Sequence, residues 1–139
     1  MTTPLSIRFD AGLLARLRRR ANATSGTTSA LAQRLIDEGL RMADHPGVIF
    51  KDGPSGRRAA LAYGPDIWEI IKFLRQIDER GPAALDAAAE ALAVEPSRIA
   101  TAVSYYTDYP AEIDAEIVDA EEASARAEEA WRIQRRLIA

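Results

Sequence analysis

Leu5-Ser6-Ile7-Arg8-Phe9 alternates apolar and polar side chains, and a helical pattern follows at once. Alternation at period two marks a strand with one dry face and one wet face. No second strand follows within reach, because the chain up to about residue 44 reads as helical. A lone five-residue strand cannot satisfy its own backbone donors and acceptors. It must pair with another molecule, most simply with the same strand of a second copy. The expected unit is therefore one intermolecular strand followed by two helices. A ribbon made of two such strands can lie in the major groove of DNA.

Working outward, Asp10 ends the strand and can cap a helix over residues 11–22. Leu14, Leu17 and Ala21 would form its inner face, leaving Arg16, Arg18, Arg19 and Arg20 mostly outside. Gly26-Thr27-Thr28-Ser29 is a turn with two candidate caps. A second helix is expected over 29–42, with Leu31, Leu35, Ile36 and Leu40 inward.

Beyond residue 44 the pattern changes. Val48-Ile49-Phe50 and Ala59-Ala60-Leu61 flank Asp52-Gly53-Pro54-Ser55-Gly56, which reads as a hairpin. A helix is expected from Pro65 to about residue 80, burying Ile67, Trp68, Ile71, Leu74 and Ile77. Gly81-Pro82 breaks it. An Ala-rich helix follows to about residue 93, and Pro96 opens another with Ile99, Val103 and Tyr106 at helical spacing. Two short helices joined by a tight turn are compatible with a helix-turn-helix. Tyr105 and Tyr106 cannot both face one core, so one hydroxyl is expected to be wet or bonded. Pro110 starts a final helix of thirty residues without a breaker. Ile113, Ile117, Ala120, Ser124, Ala127, Trp131, Gln134 and Ile138 alternate spacings of four and three, a heptad seam with a small-residue middle.

Composition sets limits on function. The 139 residues contain no Cys, which removes disulfides and thiolate metal sites. No apolar run reaches membrane-spanning length and no signal-peptide core opens the chain, so a cytoplasmic protein without membrane contact is expected. The formal charge of −3 is unevenly spread. Residues 1–44 carry seven Arg against four acids, whereas residues 110–139 carry four Arg against eight acids. A basic head and an acidic tail suggest different partners at the two ends. The sole His, His45, stands beside Pro46 in an expected linker. No phosphate loop, nucleophile–base set or paired-carboxylate site is recognisable, so no catalytic residue, metal or cofactor is expected and an enzyme is not.

If Leu5, Ile7 and Phe9 face the dimer core, Ser6 and Arg8 point outward. Arg can donate two bonds to guanine, and Ser can serve either base. Thr28 and Ser29 would present backbone amides at a helix N-terminus, where phosphate oxygens bind. The alternative readings are a solvated strand face for Ser6 and Arg8 and plain helix capping for Thr28.

Leu5-Ser6-Ile7-Arg8-Phe9-Asp10, Leu13-Leu14, Gly26-Thr27-Thr28-Ser29-Ala30-Leu31 and Leu35-Ile36 together resemble the Arc/CopG ribbon-helix-helix proteins. The resemblance covers about the first third of the chain. It implies base contacts by Ser6 and Arg8 and phosphate contacts by Thr28 and Ser29. Residues 46–117 resemble a second family through Gly53-Pro54-Ser55-Gly56-Arg57-Arg58, Trp68-Glu69-Ile70-Ile71, Val103-Ser104-Tyr105-Tyr106 and Glu112-Ile113-Asp114. These are the small helix-turn-helix antitoxin domains encoded beside PIN-like ribonuclease toxins in VapBC-type systems. That family usually has Gly-Thr-Arg where this chain has Gly56-Arg57-Arg58.

The last turns, Trp131-Arg132-Ile133-Gln134-Arg135-Arg136-Leu137-Ile138, differ from the acidic run before them. Trp and Arg dominate binding hot spots. The resemblance implies a toxin whose carboxylates hold metal ions, and an Arg could compete there by charge and bidentate bonding. Trp131, Arg132, Arg135, Arg136 and Ile138 are thus the candidate toxin contacts. Trp131 packed on this chain's own core is the competing reading. The expected whole is a mainly α protein in three segments. These are a ribbon-helix-helix domain at 1–44, a hairpin plus helix-turn-helix-like domain at 45–109, and a long C-terminal helix at 110–139. The functional expectation is an antitoxin that binds operator DNA and a PIN-like ribonuclease toxin as a homodimer. A stand-alone repressor is the alternative.

Overall fold

The computed structural model describes residues 1–54 and 56–139. Six helices and one two-stranded antiparallel sheet make up the described residues. The chain divides into two compact units, Met1–Arg41 and Met42–Ala139.

In the first unit, residues 1–10 carry no regular secondary structure in the single chain. A strand is defined by its ladder, and the ladder expected here runs between chains. Helix α1 spans Ala11–Ala23 and starts at Asp10, whose carboxylate accepts the Leu13 N–H at 3.1 Å. Helix α2 spans Thr28–Asp44. Its cap is Thr27, whose hydroxyl accepts the Ala30 N–H at 3.1 Å. Ala21 and Leu31 are buried, with Leu14 and Leu17 half-buried. Leu35, Ile36 and Leu40 were expected inward but lie exposed. Two helices alone offer them no further layer, so these side chains stay in water within one copy.

The second unit opens on the hairpin. Strands β1 (Val48–Gly53) and β2 (Gly56–Leu61) pair with Val48 opposite Leu61 and Gly53 opposite Gly56. Gly56 has φ +118°, a conformation that side chains beyond Gly resist. Helix α3 spans Ile67–Gln76, shorter than the expected 65–80. Asp66 is its cap, with its own N–H donated to the Glu69 carboxylate at 2.8 Å, which sets the start two residues past Pro65. Ile77 turns extended and stops the helix. Helices α4 (Pro82–Leu92) and α5 (Pro96–Asp108) each begin on a Pro, whose missing N–H is harmless in a first turn. Helix α6 spans Pro110–Ile138.

The core gathers Val48, Ala59 and Leu61 of the hairpin with Ile67, Ile70 and Ile71 of α3, Ile99, Ala102 and Tyr105 of α5, and Ile113 and Ile117 of α6. Burying an Ile or Leu side chain of this kind contributes roughly 1.5–3 kcal/mol. The α5 stripe is shifted from the expected Ile99, Val103 and Tyr106. Tyr105 takes the core, while Tyr106 lies at its edge with its hydroxyl donated to Asp114 at 2.8 Å. Tyr105 also donates, to Glu112 at 3.1 Å. Only the first two members of the α6 seam are buried, and residues 121–139 are exposed throughout. His45 is no linker residue. It is buried, its Nε2 stands 2.8 Å from the Asp108 carboxylate, and its ring meets Tyr105 edge-on at 5.2 Å. No helix among the described residues is long and apolar enough to cross a membrane.

Candidate functional site

The N-terminal surface is built from the alternation of residues 3–9. Leu5, Ile7 and Phe9 line a groove of about 440 Å³ together with Ala32, Gln33 and Ile36 of α2. Phe9 continues into a second groove, wholly apolar, with Leu13, Leu17, Leu35 and Ile36. Ser6 and Arg8 do not line either groove and are exposed. One side of the segment is therefore apolar and the other is hydroxyl and guanidinium. The apolar side remains open: Leu5 is 81% exposed and Ile7 52%. Apolar side chains lined along one edge, beside backbone groups without a ladder, suit a second chain better than water.

Thr28 and Ser29 occupy the first two positions of α2, with Ser29 exposed and Thr28 half-buried. The cap belongs to Thr27, a residue the sequence offered only as one of two candidates. With Thr27 engaging the Ala30 N–H, the amides of Thr28 and Ser29 are first-turn donors without an intrahelical acceptor. No acidic residue occupies that turn, so the positive end of the helix is not neutralised locally. Arg16, Arg18, Arg19 and Arg20 of α1 are exposed and add positive charge to the same unit.

The C-terminal candidates sit on the free half of α6. Trp131 is 54% exposed, which removes the reading that it packs on the core. Arg135 stacks its guanidinium 4.8 Å from the centroid of the Trp131 ring. Arg132 pairs within its helix, to Glu128 at 2.6 Å and Glu129 at 3.9 Å. Arg136 has no ion-pair partner among the described residues, and Ile138 is 85% exposed. Of the three Arg, 135 and 136 are the ones not already held by a carboxylate.

Between these ends lies a polar scaffold. Asp66, buried, accepts from Arg58 at 3.1 Å, Lys51 at 2.8 Å and the Trp68 indole at 3.0 Å. Arg58 is thus a structural tie between the hairpin and the start of α3. Trp68, expected in the core, is half-buried with its N–H turned to this carboxylate. Arg75 bonds Tyr106 at 2.7 Å and also Asp114, joining α3, α5 and α6. The bonds from Tyr106 and from Arg75 hold the Asp114 carboxyl below its ordinary range. A cleft of about 270 Å³ lies between the hairpin and α6, lined by Arg57, Arg58, Glu116, Asp119, Ala120 and Ala123, among others. Burial, and next the nearby Glu112, push Glu116 up to about 7. Arg58, Trp68, Tyr106 and Asp114 stand in the motifs quoted from the sequence, but their pairings are not legible there, because the partners lie 2 to 39 residues apart with no local pattern.

Comparison with known protein families, with curated proteins and with solved structures finds no match to this chain.

Proposed function

We propose that the chain is a type II antitoxin of non-catalytic function. In this reading it dimerises through residues 5–9, represses its own operon through Ser6, Arg8, Thr28 and Ser29, and holds a PIN-like ribonuclease toxin through the end of α6. The observation that carries the reading is the two-sided N-terminal segment. Its apolar side chains share open grooves with α2, and its Ser and Arg face water. That arrangement suits half of an intermolecular ribbon whose wet face reads bases while the α2 amides fix register on phosphates. The exposed Trp131–Arg135 stack supports a protein partner at the other end. The basic first unit and the acidic α6 are consistent with two partners of different charge.

Growth rescue tests the reading. The neighbouring reading frame is induced alone and then with this chain. Arrest relieved by co-expression, with a complex recovered on purification, supports the antitoxin. Normal growth in both cases, with no complex, rejects it.

A further inference from the structure

The free half of α6 has a property that neither end of the proposed antitoxin requires. Residues 121–139 are exposed along about 28 Å of α6, so this half of the helix gains nothing from packing within the single chain. Its charge is divided along the axis. Residues 121–129 hold four carboxylates and one Arg, and residues 130–139 hold three Arg and no acidic side chain. A segment that is −3 in one half and +3 in the other is complementary to itself when two copies run antiparallel.

We propose that the free half of α6 pairs antiparallel with the same helix of a second copy, about a two-fold axis at residue 129. This pairing does not rest on the antitoxin reading, and it competes with a toxin for Trp131, Arg135 and Ile138. The register is argued from four side-chain matches it makes at once. Trp131 lies over Ala127 of the second copy, and Ile138 over Ala120, so each large group meets a small one. Gln134 meets Ser124, polar against polar. Glu121 meets Arg135, opposite charges on the flank of the seam. A parallel pair would instead set Trp131 on Trp131 and Glu121 beside Glu116. The contacts also continue onto the second unit, because Ala120 lines the cleft beneath the hairpin, where Ile138 of the second copy arrives. Glu128 meets its own counterpart near the axis, and its bond to Arg132 at 2.6 Å lowers that repulsion.

The chain has no Cys, so single thiols can map the pairing in the full-length protein. Ala130→Cys places a thiol one residue from the axis. Mild diamide oxidation is expected to link it into covalent dimers. Glu121→Arg in that background slows linking about tenfold by replacing two opposite-charge pairs with like-charge pairs. Adding Arg135→Glu restores it. Ser124→Cys, about 15 Å from its counterpart in this register, stays unlinked. Absence of linking at Ala130→Cys, linking unaffected by Glu121→Arg, or efficient linking at Ser124→Cys each overturns the proposal. All four positions are exposed, so folding is not the variable, and an unchanged far-UV helix signal verifies this.

Discussion

Arg135 lies over the face of Trp131, its guanidinium 4.8 Å from the ring centroid, one helical turn apart on an exposed stretch of α6. The stack holds two rotamer-rich side chains in one arrangement before any partner arrives, which lowers the ordering loss on binding. In the antitoxin reading, Trp131→Ala weakens toxin capture by about 2 kcal/mol, roughly thirtyfold in Kd. The core of the second unit is untouched, since Trp131 is exposed within the single chain. Calorimetric titration of purified toxin checks the affinity. Unaltered affinity removes the tail from the interface.

At the other end, Arg8→Ala is expected to reduce affinity for the upstream operator DNA by about 1–3 kcal/mol, as loss of a bidentate base contact does. Toxin capture is unaffected. Arg19→Ala, on the exposed face of α1, changes the slope of affinity against salt more than sequence preference. Fluorescence anisotropy at several salt concentrations separates the two. Equal losses on operator and on scrambled DNA for Arg8→Ala reject the base-reading role.

Asp66→Ala leaves the half-buried Arg58 without its carboxylate and frees the Trp68 indole N–H. Breaking one side of a part-buried pair costs less than a fully buried one, about 2 kcal/mol here. Lys51, half in water, adds little. Urea denaturation is expected to show a lower midpoint with the slope retained. Asp66→Asn, which can still accept from the indole, falls between.

Glu116 gives stability a pH dependence with a definite sign. Its carboxyl titrates near 4.5 when unfolded and at about 7 in the fold. Between those values the folded state holds the extra proton, so this group's contribution declines as pH rises and is lost above about 7. Glu116→Gln should therefore melt higher than the parent at pH 8, with the difference vanishing at pH 4. Asp114, held low by Tyr106 and Arg75, works oppositely. It stabilises above the ordinary carboxylate range and loses this as pH falls. Parallel melting curves across pH test the difference.

Ala93 sits in the left-handed region with φ 54° at the end of α4. A side chain there carries about 1–2 kcal/mol of strain, partly offset by the greater freedom of Gly when unfolded. Ala93→Gly is expected to stabilise by about 0.5 kcal/mol. A lowered melting midpoint contradicts this.

Most elements were legible because their signals are local. Asp10 as cap, Pro96 and Pro110 as first residues, and Gly53 and Gly56 flanking a hairpin all act within a turn of their own positions, whereas the break expected at Gly81-Pro82 comes earlier, at Ile77. The alternation of residues 5–9 likewise marks which side is apolar without any knowledge of the fold. The same information places Ser6, Arg8, Thr28 and Ser29 among the candidates for DNA contact, and composition alone removes thiolate chemistry.

Tertiary structure decided which apolar face has a neighbour. Spacing puts Tyr106 on the inner stripe of α5, and only packing against α6 buries Tyr105 instead and turns Tyr106 to Asp114. Leu35, Ile36 and Leu40 look inward by spacing, yet a two-helix unit has no third layer to receive them. His45 seemed to lie between elements, but Asp108, 63 residues away, holds it. The α6 seam keeps its rhythm to Ile138, while the body of the unit covers only Ile113 and Ile117. Capping, breaking and alternation are set by neighbours along the chain. Burial and charge pairing depend on which distant surface arrives, and where none arrives the apolar face is left for another molecule.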